Sequence, residues 1–314
     1  MQKNIIINGT SVLPGNSAQV NLNVYRLPTR TIIDIPVYVF RSLKPGPVIL
    51  FLAGMHGDEI NGIEIIRRLL GREDIQNPLC GSVIVIPVIN IVSFINGKRD
   101  LPDGRDLNRC FPGTKNGSLG SRIAYDLMNE IIPQIDFGID FHTGGLKLNN
   151  HPQIRCVQSK KANMDLAKIF SPPLIVNSTY RDNSLRKEAS RKRKTVLVFE
   201  GGESSRFDYT SINEGLNGCL RVLRHYKMIA SGVPPNPVVV ISKSIWVRAK
   251  ISGLFHTSKI NGAHVRKGET IGMIGDPYGE ITQKMLAPAD GYIVGINNMP
   301  VINQGDALIH IGIE

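Results

Sequence analysis

PVILFLA at residues 47–53 runs straight into GMHGDE at 54–59, and this junction decides how the chain is read. A continuous apolar run of that length has no polar face, so it suits a strand covered on both sides of a sheet. The turn after it carries one histidine, two acids and two glycines. EINGIEIIRRLL at 59–70 follows and places Ile63, Ile66 and Leu70 at helical spacing, with Gly71 suited to a C-cap.

The same pattern spreads outward. Apolar runs recur at 82–88 (SVIVIPV), 137–141 (FGIDF), 173–176 (PLIV) and 195–199 (TVLVF), with helix-like stretches at 122–132 and 163–169. Alternating strands and helices predict an α/β fold: a mixed, mostly parallel sheet flanked by helices. The pattern changes at GVPPNP (232–237), a Pro-rich linker candidate. Beyond it lie short β-like runs broken by glycine, such as GETIGMIG and ALIHIGI, without helical periodicity. The expected division is an α/β domain over 1–231 and a smaller all-β domain over 238–314.

Composition narrows the function classes. The 314 residues are 42% hydrophobic and 20% charged, ordinary for a globular protein. No apolar run reaches the roughly 18 residues that span a bilayer, and the N-terminus lacks the apolar stretch of a secretory signal. Four scattered cysteines without a C-x-x-C pair read as free thiols in a reducing compartment. Together these features predict a cytoplasmic protein with no membrane partner. The net charge is +11, but much of the excess sits in RDNSLRKEASRKRK (181–194). No aromatic interleaving or nucleic-acid signature accompanies that run, so it reads as a solvated basic loop, with attraction for an anionic substrate as the other reading. Nucleic acid is not an expected partner, and a homo-oligomer is left open.

In open α/β sheets, sites form beyond the carboxyl ends of the strands. Four strand runs deliver His56 and Glu59, the loop 90–113, His142, and Glu200 to one edge. Two His and one Glu, with water at an open position, is the composition of a catalytic zinc site, where the water's pKa falls to about 7. Read alone, His142 also fits a structural histidine, and Glu200 also fits a turn cap. As a partly desolvated carboxylate, Glu200 suits general acid–base work. The loop offers Arg99, Arg105, Asn108 and Arg109, groups able to grip a carboxylate or stabilise an oxyanion, or else scattered surface charge. The other five histidines (151, 225, 256, 264 and 310) read as structural or surface residues.

GMHGDE (54–59), DLNR (106–109), DFH (140–142) and FE (199–200), in that order, resemble the succinylglutamate desuccinylase/aspartoacylase family, which has the zinc carboxypeptidase-like fold. The resemblance implies one zinc per chain, held by His56, Glu59 and His142. It implies that Glu200 activates water and then protonates the leaving amine. Asn108 and Arg109 match the family's substrate-carboxylate clamp, Arg99 resembles the arginine that polarises the scissile carbonyl, and Asp106 is placed to orient the clamp or a zinc-ligating histidine. Arg105 is grouped with the substrate-binding residues from its loop position alone. VRKGETIG (265–272) and APADGY (287–292) resemble the barrel-sandwich of biotinyl/lipoyl carriers, but DPYGE (276–280) lacks the carrier lysine. A structural or gating role beside the active site is therefore expected for that domain.

The leading expectation is hydrolysis of the amide bond of a small N-acyl amino acid bearing a carboxylate. A carboxypeptidase acting on peptides or acidic protein tails is the alternative within enzymes. A catalytically silent binding module is the alternative outside them.

Overall fold

The structure is a computed structural model, and it describes residues 3–26, 29–145 and 147–314. A small hairpin, β1 (Ile5–Ile7) and β2 (Thr10–Val12), precedes the first long antiparallel pair, β3 (Ser17–Arg26) and β4 (Ile32–Arg41). The α/β part follows with β5 (Val48–Ala53), α1 (Ile60–Leu70), α2 (Glu73–Gln76), β6 (Ser82–Ile86), α3 (Ile91–Ile95), α4 (Leu119–Asp126), β7 (Phe137–Gly144) and β8 (Leu148–Cys156). It continues through α5 (Lys161–Phe170), β9 (Leu174–Asn177), α6 (Leu185–Arg191), β10 (Thr195–Glu203) and α7 (Tyr209–His225). The C-terminal part is all strand: β11 (Val239–Ile241), β12 (Lys243–Arg248), β13 (Gly253–His256), β14 (His264–Val265), β15 (Thr270–Gly275), β16 (Thr282–Leu286), β17 (Gly291–Asn297), β18 (Val301–Ile302) and β19 (Ala307–Ile313).

At the centre, β6, β5, β7 and β10 are parallel neighbours. Strands β4 and β3 on one side and β8 on the other add antiparallel pairings, so the sheet is mixed, as expected. Successive side chains of a strand point to opposite faces, and β5 shows both faces buried. Ile49, Phe51 and Ala53 pack with Ile65, Ile66 and Leu69 of α1 and Ile212 and Leu223 of α7. Leu50 and Leu52 pack the other way, with Leu107, Ile123 of α4 and Leu185 of α6. That two-sided cover explains why these strands read as unbroken apolar runs.

Several local expectations shift. Helix α1 buries Ile65, Ile66 and Leu69, whereas Ile63 and Leu70 are only partly buried. The stripe predicted from spacing is thus rotated by about one residue. The 122–132 helix is α4 followed by a π turn over Leu127–Ile131. The basic run is not a solvated loop. It holds α6, capped by Ser184, whose Oγ accepts from the Lys187 backbone N–H, and Arg186 within it is buried.

The C-terminal strands do not hang from the Pro-rich stretch as a detached unit. Strand β11 pairs in parallel with β9, and β17 pairs antiparallel with β8. The main sheet therefore runs on through β17 and β19 to β12. A four-stranded sheet, β16-β15-β13-β18, closes the sandwich over a core that includes Phe255, Ile274, Ile293 and Leu308.

Candidate active site

Strand β5 ends at Ala53, and the chain reverses at Gly54 with φ +67°, the left-handed region that favours glycine. Three residues on, Gly57 lies so close to the 93–94 backbone that a Cβ would stand 2.0 Å from the Ser93 carbonyl carbon. This tight packing places His56 and Glu59 beneath the sheet edge. Glu59 occupies the N-cap of α1, yet its side chain makes no capping bond and turns inward instead. Strand β7 brings His142 alongside.

His56, Glu59 and His142 are all buried, and one ligand atom from each lies within 4.8 Å of the others. Glu59 Oε1 is 2.7 Å from His56 Nδ1, and Glu59 Oε2 is 2.9 Å from His142 Nδ1. The Thr143 backbone N–H donates to the same Oε2 at 3.1 Å. Each imidazole's other nitrogen has its own carboxylate: His56 Nε2 lies 3.0 Å from Asp106 Oδ1, and His142 Nε2 lies 2.8 Å from Asp140 Oδ2. A histidine that donates Nε2–H to a carboxylate keeps the Nδ1 lone pair for a cation, and such partners fix ring orientation at metal sites. Two imidazole nitrogens and a carboxylate oxygen are the donor set of a catalytic zinc site. The residues present therefore fit the metal.

The electrostatics show how much negative charge gathers at this point, where a cation would be drawn. Burial disfavours charge on His142, but Asp140 and Glu59 outweigh it and hold its pKa well above the ordinary value. Burial likewise opposes Glu59's charge, and His56 and His142 override it, holding that carboxyl well below the usual range. Three carboxylates thus surround this point, and Arg99 is the permanent cation among them. Its Nη1 donates to Glu59 Oε1 at 2.8 Å and lies 3.2 Å from His56 Nδ1, and its Nη2 donates to Asp106 Oδ2 at 3.0 Å.

Glu200 sits on β10 in register with His142 on β7. Asn150 Nδ2 donates to Glu200 Oε2 at 3.0 Å, and Arg155 Nη1 stands 3.4 Å from Oε1. The carboxylate is thereby aimed into the same cavity as the His56–Glu59–His142 group.

The loop after α3 forms a 3-10 turn, Leu107–Arg109, capped by Asp106, which accepts from the Asn108 backbone N–H. Asn108 Oδ1 accepts from the Leu185 backbone N–H at 3.0 Å, so its Nδ2 is the end left for a ligand. Arg109 is half-buried and lines the cavity, with Nη1 donating to the Asn108 carbonyl at 2.5 Å. Arg105 does not join them. It is exposed, lies 3.6 Å from Asp103 of its own loop and donates to Ser118 Oγ, so the grouping of Arg105 with the clamp is corrected.

The cavity has a volume of about 650 Å³. Sequence reasoning missed several of its walls. Asp140 carried a readable signal, because residues two apart on a strand share a face, and His142 is two residues on. Asn150 and Arg155 on β8, Arg186 on α6, and Trp246 and His310 from the C-terminal strands carried none, since only the tertiary fold brings them there.

A family model of the succinylglutamate desuccinylase/aspartoacylase catalytic domain matches residues 45–226. The N-alpha-acetyl-L-2,4-diaminobutyric acid deacetylase of Halomonas elongata is 29% identical in a 301-position alignment that covers 88% of this chain and 84% of that protein. The crystal structure of a succinylglutamate desuccinylase/aspartoacylase from Rhodobacter sphaeroides has a TM-score of 0.81 at 26% identity, covering 95% of this chain and 94% of that one. A product-bound ectoine utilization protein from Ruegeria pomeroyi has a TM-score of 0.82 at 24% identity, covering 100% of both chains, and shows the same fold. With its catalytic-domain model spanning more than half of the residues, the chain belongs to the succinylglutamate desuccinylase/aspartoacylase family, whose members are amidohydrolases.

Proposed function

We propose that this chain is a zinc-dependent deacylase that hydrolyses a small N-acyl amino acid to a carboxylate and a free amine. The observation that carries the reading is one cavity holding a His–Glu–His donor set, a separately positioned Glu200 and the Asn108–Arg109 pair. His56, Glu59 and His142 would hold the metal, and zinc bound there supplies Lewis acidity and a nucleophilic water at neutral pH.

The chain's own groups supply the rest. Glu200 Oε accepts a proton as the water oxygen bonds to the amide carbon. It returns that proton to the nitrogen as the C–N bond breaks. Asn150 and Arg155 hold the carboxylate in place for both transfers. The Arg99 guanidinium, beside His56 and Glu59, is placed to stabilise charge developing on the carbonyl oxygen. Arg109 and the free Asn108 amide offer convergent donors for a substrate carboxylate. A cavity of about 650 Å³ suits a small molecule, and the Halomonas relative is named for deacetylation of such a substrate.

The test is a deacylation screen of zinc-loaded protein against acetyl, succinyl and formyl amino acids, with acidic peptides in parallel. Turnover of the small amides supports the reading. Release of C-terminal residues from the peptides with no turnover of the amides would replace it with the carboxypeptidase.

A further inference from the structure

The Glu200 carboxylate has a partner on each oxygen, and both partners lead to one strand of the C-terminal sandwich. Glu200 Oε2 accepts from Asn150 Nδ2 at 3.0 Å, and Arg155 Nη1 stands 3.4 Å from Oε1. Asn150 and Arg155 lie on β8, whose register against β10 shifts between Glu200 and Gly202. Such an irregularity re-aims side chains, and Asn150 reaches the carboxylate from its position opposite Gly202. On its other side β8 pairs with β17, where Asn150 stands opposite Gly295.

The approach at Gly295 is close. A Cβ there would stand 2.6 Å from Asn150 Oδ1 and 3.2 Å from the Asn149 carbonyl oxygen. Gly295 lies within a strand and has no positive φ, so the glycine answers a lack of room and not a backbone requirement. Asn150 is buried, and its Oδ1 has no hydrogen-bond partner among the described residues. The amide is therefore held by its bond to Glu200 at one end and by packing on Gly295 at the other. Behind Gly295 the same rung of the sheet continues to His310 on β19 and Trp246 on β12. Those two rings stack with centroids 4.3 Å apart and planes 4° from parallel. His310 is buried, and that burial together with the Arg155 charge holds it neutral, its pKa pushed down to about 3. A methyl added at Gly295 thus has a packed rung behind it, and the end of the Asn150 side chain is the soft neighbour in front.

A second thread reaches the preceding residue of β17. Arg155 Nε donates to Gln153 Oε1 at 3.4 Å, and the buried Gln153 donates from Nε2 to the Val294 carbonyl at 3.4 Å.

We propose that β17 of the C-terminal sandwich sets the position of the Glu200 carboxylate, Gly295 acting through Asn150 on one oxygen and Val294 acting through Gln153 and Arg155 on the other. Gly295 and Gln153 are positioning residues, since neither touches the reacting atoms. The inference rests on the reading of Glu200 as the group that carries the proton in the deacylase.

The test is a double-mutant cycle in full-length, zinc-loaded protein, using the N-acyl amino acid that the parent turns over best. Asn150→Ala removes the bond to Glu200. Gly295→Ala leaves Asn150 in place but forces its amide to turn away. Each should lower kcat about 10- to 100-fold with little change in KM, because a hydrogen bond to a charged group is lost and the base is misplaced. The double variant should be no slower than Asn150→Ala, because the added methyl then meets no amide. A merely structural role for Gly295 predicts losses that multiply, and that result, or a Gly295→Ala kcat equal to the parent's, would overturn the proposal. Should Gly295→Ala not fold, Gln153→Met decides through the other thread: a fall in kcat of about two- to tenfold at unchanged KM supports it, and a parent-like kcat overturns it. A second readout does not depend on turnover. In 15N-labelled protein the Asn150 side-chain amide signal, identified by its absence in Asn150→Ala, should shift in Gly295→Ala. A shifted signal in a chain whose parent hydrolyses no N-acyl amino acid sinks the deacylase reading alone. Turnover by the parent, with the signal unmoved and kcat unchanged in Gly295→Ala, sinks this inference alone.

Discussion

Glu59 shows how much one residue holds in this site. Its two oxygens face two different histidines, and Arg99 approaches one of them. The residue pattern made His56, Glu59, His142 and Glu200 readable, because each follows a buried apolar run and so lands at the sheet edge. Asp140 is equally readable from its spacing, two residues before His142 on one face of the strand. Replacing it with Asn removes the charge behind His142 while keeping size. Zinc affinity should fall about 10- to 100-fold, as for other orienting partners, and a competitive chelator titration reads this directly; unchanged affinity would leave Asp140 without that role. Glu200→Gln should keep the metal and lose at least roughly 100-fold in kcat, the low end for general acid–base catalysis. A variant turning over near the parent rate would remove Glu200 from the proton transfers. For Arg109→Ala, loss of a charge-assisted contact worth about 1.5–3 kcal/mol predicts a fall in kcat/KM of about tenfold to over a hundredfold. Lysine there should restore only part, since an ammonium lacks the planar fork. The clamp assignment fails if the parent's preference for a free over an amidated carboxylate survives in the Ala variant.

Elements explain what single residues cannot. Spacing locates a helix and its apolar stripe, but the neighbours set the azimuth. Helix α1 buries Ile65 and Leu69 because it lies against both the sheet and α7. The basic run misled for a related reason. Its charges are answered at short range, as by Asp182 for Lys187 and Glu188 for Arg191, while Arg186 reaches the Arg155 carbonyl, Ser178 and Thr179 on other segments. Only the Arg155 carbonyl, 31 residues from Arg186, lies beyond any local window of sequence. The turn between β5 and α1 is the element most exposed to a small change. Gly57→Ala must displace backbone at Ser93, since the added carbon has no flexible side chain to push aside. The expected outcome is a lower melting temperature together with weaker zinc binding, followed by thermal melts with and without zinc. A variant equal to the parent in both would show that the turn yields freely.

At the scale of the whole molecule, the C-terminal strands are part of the catalytic sheet and not an appendage. The composition shift after the Pro-rich stretch was legible. The rung from Asn150 to Trp246 was not, because it joins residues about 100 positions apart in sequence. This seam also predicts a pH dependence of stability. His310 keeps a pKa of about 3 in the fold against an ordinary 6.5, so between those values the unfolded chain binds the extra proton. Stability should therefore fall as pH drops through that window. Urea melts of His310→Phe should show a shallower decline there than the parent, and identical slopes would contradict a buried neutral ring. The central claim is that His56, Glu59 and His142 hold one zinc on which amide hydrolysis depends. Its most direct test is activity during zinc titration of chelator-stripped protein, using whichever N-acyl amino acid the screen identifies. Turnover should be absent at the start, rise in proportion to added zinc, and level off at one equivalent per chain, whereas full turnover in the stripped protein would contradict the account.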